Sequence, residues 1–219
     1  MATAAPPADA PAFALPGAIL VLDPALKPAD RRAVVDSVLL AALAADKECG
    51  DAAAWMNTMV RTLCRIGWVG QDLRSTSYRA PSRTLTLGRA VATAAEQLTE
   101  VSDPRLAVTA IERAAGDAHA AGVLAAGGGH AETRTVCLAL AHEQEGTPGL
   151  QLILVVSRQE SRSEQAQEID LRTEVRSTGL EVRSVRLALQ PELYRSIAST
   201  LHGKIHDALA SALVPLVER

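Results

Sequence analysis

The spacing of apolar positions changes once along this chain, from a period near 3.6 residues before Gly127-Gly128-Gly129 to a period of two after it. In the first part, a helix is predicted to start after Pro28, with Asp30 in its first turn and Val34, Val35, Val38, Leu39, Ala42 and Leu43 on its apolar stripe. Glu48-Cys49-Gly50 ends it. A second helix runs from about Asp51, its N-cap, to Ile66, with Trp55, Met59, Leu63 and Ile66 on one face. Gly67 stops it, and Trp68 opens an extended segment that reaches Tyr78. A third helix covers roughly 86–99. A fourth restarts at Ser102-Asp103-Pro104, carries Ala107, Ile111, Ala114 and Ala118, and frays into the triple glycine.

Two-residue alternation then predicts strands. Residues 133–141 form one, and Glu145-Gly146-Thr147-Pro148-Gly149 is a turn. Leu150–Val156 is apolar on both faces, so it should be a central strand covered on two sides. Arg158–Gln167 is a polar loop, and Ile169, Leu171, Thr173 and Val175 alternate with charged residues as a strand with one solvated face. After the turn Ser177-Thr178-Gly179, Leu180 and Val182 start an alternation that Val185, Leu187 and Leu189 continue in the opposite phase, which predicts a β-bulge near Arg183-Ser184. Residues 18–22 (AILVL) make a separate short strand or extended segment.

The last helix starts at Pro191 and Glu192, repeats Leu193, Ile197, Leu201, Ile205, Leu209 and Leu213, and stops at Pro215. A four-residue step drifts about 40° per repeat, so its apolar stripe winds obliquely over what it covers. The expected fold is therefore α+β: N-terminal helices, a four-stranded antiparallel β-meander, and a long C-terminal amphipathic helix packed on the sheet. One domain, residues 17–219, is expected behind a mobile Ala/Pro-rich tail, residues 1–16.

Composition narrows the function classes. Of 219 residues, 48% are hydrophobic, but 41 are alanine and only Phe13, Trp55, Trp68, Tyr78 and Tyr194 are aromatic. That argues against base-stacking nucleic-acid binding and an aromatic-lined small-molecule pocket. A net charge of −3 argues against a surface that coats polyanions. Cys49, Cys64 and Cys137 are too few and scattered for a disulfide framework, and no CxxC pair suggests structural zinc. The longest purely apolar stretch, Val38–Ala45, falls well short of the roughly 20 residues a membrane-spanning helix needs. The N-terminus lacks the basic region and uninterrupted apolar core of a secretion signal. The cytoplasm is expected, with export by a dedicated secretion machine also compatible.

Four groups of residues invite a chemical reading, and each has a plainer one. His202 and His206 stand at i, i+4, a spacing able to offer two imidazoles to a metal, but Gly203 and Lys204 lie between them and both flank an apolar stripe. Gly127-Gly128-Gly129-His130 follows a helix and leads to a strand, the reverse of a phosphate loop, so a flexible joint is expected. Cys137, between Val136 and Leu138, reads as a small buried hydrophobe rather than a nucleophile. Ser157 to Ser163 lacks the GxSxG elbow. No catalytic, cofactor or metal residues are assigned, and no cofactor is expected. Arg172, Arg176, Arg183 and Arg186, with Glu168, Asp170, Glu174 and Glu181, read as a charged outer sheet face open to solvent or to a protein partner.

The segment Ala54-Trp55 through Ile66-Gly67-Trp68-Val69-Gly70-Gln71 resembles a family of small bacterial and fungal α+β proteins with a Trp-x12-Trp helix ending in Ile/Val-Gly-Trp. That resemblance implies a helical segment, a β-meander and a C-terminal amphipathic helix with a tyrosine near its start, where Tyr194 stands. It brings no catalytic residues. Met56 and Met59 replace aromatic residues usual in that family, which puts any aromatic-dependent role in doubt. The leading expectation is a non-catalytic protein that associates with itself or a protein partner. The alternatives are a membrane-active or virulence-type effector that rearranges on lipid, and an enzyme using Cys137 or the His202/His206 pair. Phe13, in the expected tail, is left as a candidate docking residue.

Overall fold

The computed structural model describes residues 10–48, 52–75, 78, 80, 82–98, 103–127, 129–130, 133–158 and 170–217. In chain order the elements are β1 (Ala12–Leu15), β2 (Ala18–Leu22), α1 (Pro28–Glu48), α2 (Ala52–Arg65), β3 (Trp68–Ser75) and β4 (Thr84–Thr86). Then come α3 (Leu87–Leu98), α4 (Pro104–Gly116), α5 (Ala118–Ala125), β5 (Gly129–His130), β6 (Thr133–Gln144) and β7 (Thr147–Arg158). The chain closes with β8 (Glu174–Arg176), β9 (Leu180–Leu189), α6 (Pro191–Ala212) and β10 (Val214–Pro215).

The fold is α+β with a C-terminal helix, but its sheet is not a four-stranded meander. The strand order is β10-β1-β2-β6-β7-β9-β3, with β5 added to β6. All described pairings are antiparallel except β2 with β6. Helices cover both faces. One core joins α1, α2 and α6 to Leu20, Cys137, Leu152 and Leu187; the other joins α3, α4 and α5 to Ile19, Leu138, Ile153 and Val182. We call these the first and second faces.

Two-sided cover explains the phase reversal in β9 without a bulge there. Val182 belongs to the second face, and Val185, Leu187 and Leu189 to the first, so both sets are buried by ordinary alternation. Pairing of β9 with β7 runs unbroken from Leu180 to Ala188. The irregularity lies instead on β3, between Gly70 and Asp72.

The expected tail needs a larger correction. Residues 1–9 lie outside the described residues, but Ala12–Leu15 is a strand between β2 and β10. Phe13 is 1% exposed in the first-face core, so it is a packing residue and not a docking one. The expected stop at Pro215 is also revised, because the chain returns to the sheet after α6 to pair Val214 with Ala14. Likewise, the alternating segment 169–175 does not join the main sheet. Its described part carries Leu171 and Thr173, whose carbonyls accept from the Gly88 and Leu87 amides at the start of α3, and then β8, which pairs with β4.

Helix boundaries follow local chemistry. Asp103 accepts from the Arg105 amide at 2.9 Å, with Pro104 in the first turn of α4. The expected fourth helix is in fact two, because Asp117 interrupts it and caps α5 by accepting from the His119 and Ala120 amides. In α6 the winding stripe buries Leu201, Ile205 and Leu209, while Leu193, two steps back, has rotated out to 54% exposure.

Trp55 on α2 and Trp68 at the start of β3 are 0% and 1% exposed in the same core. Replacing Trp55 by alanine should cost about 3–5 kcal/mol of stability in a chemical melt. A loss below about 1 kcal/mol would contradict this placement.

Candidate functional site

The two faces of the central strands differ in chemistry. Along β7 the first face carries Pro148, Leu150, Leu152, Leu154 and Val156, all buried. Cys137, Ala139 and Ala141 of β6, and Val185, Leu187 and Leu189 of β9, continue it sideways. Its polar residues include Thr135 and Glu143 toward the ends of β6, Arg158 at the end of β7, and Glu181 and Arg183 on β9, opposite Val156 and Leu154. On the second face polar groups intrude into the middle. Gln151 is 2% exposed and sits directly opposite Arg186, with buried Ser184 nearby. The Gln151 amide donates to the Leu98 carbonyl at 2.8 Å, at the C-terminal end of α3.

The helices over the first face hold a polar cluster that the sequence reading missed. α1 packs against both α2 and α6 as well as the sheet, so it is buried on most sides. Within Ala33–Ala45 its one charged residue is Asp36, at 4% exposure. Asp36 Oδ2 lies 3.2 Å from His202 Nδ1 on α6, and Arg32 Nη2 lies 2.8 Å from His202 Nε2. The same Arg32 Nη2 also lies 3.3 Å from His202 Nδ1, so carboxylate, imidazole and guanidinium form one cluster. The lone charge in an apolar helix was readable in sequence; its partner, 166 residues away, was not.

Burial pushes the Asp36 carboxyl above its ordinary 3.8, against the lowering effects of His202 and Arg32. Burial likewise pushes the Tyr194 phenol up to about 12, helped by the Asp36 charge and opposed by Arg32.

The other sequence candidates disperse. His202 and His206 have ring centroids 6.1 Å apart at 70°, and both nitrogens of His202 are already engaged by Asp36 and Arg32. Among the described residues no group of three or more His, Cys, Asp or Glu side chains is placed to hold a metal ion. Cys137 is fully buried and its thiol is pushed up to about 12, which keeps it protonated and un-nucleophilic at neutral pH. Gly127 packs the end of α5 onto the β1–β2 turn: a Cβ there would fall 2.5 Å from the Pro16 carbonyl carbon. It is a tight joint, where a flexible one was expected. Ser157 is buried in β7, and Ser163 lies outside the described residues.

The charged sheet face divides. Asp170, Arg172, Glu174 and Arg176 are exposed near β8, Glu181 and Arg183 pair on β9, and Arg186 points to the second face; Glu168 lies outside the described residues. Two open grooves are present. One of about 590 Å³ is lined by Ala118, Ala121, Gly122, Ala125, Asp170 and Arg172 among others, and one of about 410 Å³ by Pro11, Leu106, Thr109 and Arg113 among others. No helix among the described residues is long and apolar enough to cross a membrane.

No family model and no curated protein matches the chain. Among solved structures it is similar to the Evf virulence factor, at 11% identity and TM-score 0.38 over 90% of this chain and 83% of that one. It is similar to a delta-endotoxin at 11% identity and TM-score 0.41, over 80% of this chain and 79% of that one. A third similarity is to the activated Cyt2Ba monomer from Bacillus thuringiensis subsp. israelensis, at 11% identity and TM-score 0.35, over 79% of this chain and 95% of that one.

Asp36 gives this region a testable pH dependence. A carboxyl whose folded value is raised stabilises the fold below its unfolded value, and that contribution is lost as pH rises through the folded value. Asp36→Asn keeps an acceptor for His202 and removes the buried charge. Relative to wild type, the variant should gain in denaturation midpoint as pH is raised from about 4 to about 7, and be at least as stable at the upper end. A variant that loses ground over that interval would refute the assignment.

Proposed function

We propose that this protein is membrane-active: its helices protect the sheet in the water-soluble form, and the first face meets lipid after α1, α2 and α6 move away. One observation carries the reading. The five first-face residues of β7, at alternate positions from Pro148 to Val156, span nine positions and none of the five is polar. At about 3.4 Å per residue that is roughly 30 Å, the thickness of a bilayer's hydrocarbon core. β6 widens the middle of the strip with Cys137, Ala139 and Ala141, and β9 widens its Pro148–Leu152 part with Val185, Leu187 and Leu189. Replacing helix by acyl chain exchanges one apolar neighbour for another, so the face loses little by the transfer. Helical length is not required for this, because the strands do the inserting.

Self-association is a second reading, favoured by Val69 on the edge strand β3 and Leu193 at the start of α6, which are 42% and 54% exposed. The two readings are compatible if assembly accompanies insertion.

Dye release from lipid vesicles tests the proposal. With a net charge of −3 the chain has no general attraction to anionic lipid, so zwitterionic vesicles should leak at least as well as anionic ones. The two tryptophans report which layer enters. In Trp55→Phe the remaining Trp68 lies on the sheet, and in Trp68→Phe the remaining Trp55 lies on α2. Brominated acyl chains should quench Trp68 more strongly than Trp55. Absence of release from either vesicle type, at neutral and mildly acidic pH, would overturn the reading.

A further inference from the structure

We infer that the second face of the same strands lines an anion-selective aqueous path in the inserted state, with Arg186 as its selectivity-determining residue; this rests on the membrane reading above. Alternate residues of a strand point to opposite faces, so a sheet that gives its first face to lipid must give its second to water or to protein. The polar groups nearest the middle of β7 lie on the second face. The middle of the first face has nothing to offer water. The second face places Gln151 opposite Arg186, and Ser184 one alternate position along β9. An arginine at that depth belongs in a lumen rather than against acyl chains; on the first face Arg183, opposite Leu154, is paired with Glu181.

In the folded molecule the Leu98 carbonyl at the end of α3 supplies a partner for Gln151. When α3 leaves, water takes its place. The sign of the path follows from the strands. The second face of β6, β7 and β9 carries Arg134 and Arg186, with His142 near the hairpin end, and no aspartate or glutamate; Glu143 and Glu181 fall on the first face. Those three strands therefore make the face net cationic. Repeated around an oligomer, Arg186 forms a ring of fixed positive charge of the kind that favours anions.

The experiment is single-channel recording in a planar zwitterionic bilayer under a potassium chloride gradient, beside vesicle dye release. Wild-type protein should show discrete conductance with chloride more permeant than potassium. Arg186→Glu should lower the chloride-to-potassium ratio severalfold, and Arg186→Lys should preserve it. Arg134→Glu, at the start of β6, should shift the ratio the same way, which keeps the test open if Arg186→Glu fails to fold. Glu143→Gln, on the lipid side, should leave it unchanged. Cation preference, or a ratio that neither charge reversal moves, overturns the inference while the membrane reading stands. Dye release without discrete conductance does the same. Absence of both release and conductance removes both.

Discussion

The central constraint on this molecule is a sheet whose two faces are both covered in the folded form. Strand β7 is buried from Pro148 to Ser157, as are seven of the twelve residues of β6 and five of the ten of β9. Each face demands its own helical cover, and the two covers are built differently. Over the first face, α1 is wedged between sheet, α2 and α6, so it has almost no free circumference. A charge on such a helix cannot reach bulk water, and Asp36 is accordingly held by His202 with Arg32 beyond it. The cluster is a consequence of the packing: burying α1 on most sides obliges a neighbouring helix to supply a partner.

Local signals in the sequence were sufficient for most helix starts, but not for the break at Asp117 that separates α4 from α5. The starts of α1, α3, α4 and α6 follow from Pro28, the apolar stripe after Thr86, Asp103-Pro104 and Pro191, because caps and proline act within one turn. The doubly covered β7 was legible for a related reason: a run with no polar alternation has no face to give to solvent. What escaped were features fixed by distant partners. Pro11 and Pro16 bracket Ala12–Leu15 and disguise it as a tail, yet β2 and β10 supply its pairing. A phase reversal signals a slip only where one face is wet, so the pattern of β9 was misread once both faces proved covered. Likewise Asp36, the one charge within Ala33–Ala45, has its partner 166 residues away, while His202 pairs in sequence with His206 at i, i+4.

The difference between the two faces is also a difference in how their covers are held. On the first face the attachment is apolar contact, anchored by Trp55, Met59 and Leu63 of α2 against the sheet. On the second, α3 is tied by specific polar geometry, including the Gln151–Leu98 bond, and by close approach of Gly88 to the Leu171 carbonyl, where a Cβ would sit at 3.0 Å. Apolar contact has no preferred partner and survives exchange for another apolar medium; directed hydrogen bonds do not. The two covers are thus held by different kinds of contact.

The parallel contact between β2 and β6 bears on how such a chain is made. Leu22 ends β2, and its partner strand begins only at Thr133, with α1 to α5 and β3 to β5 in between. Closing so long a loop costs entropy before any contact repays it, which slows folding. On the ribosome, helices of both layers emerge before the strands they are to cover, leaving their alanine- and leucine-rich sides without a surface to dock on. No fragment ending before residue 133 contains the central strands. The halves marked by the change of period are therefore inseparable as folding units, and the nascent chain passes through its most adhesive stage at mid-synthesis.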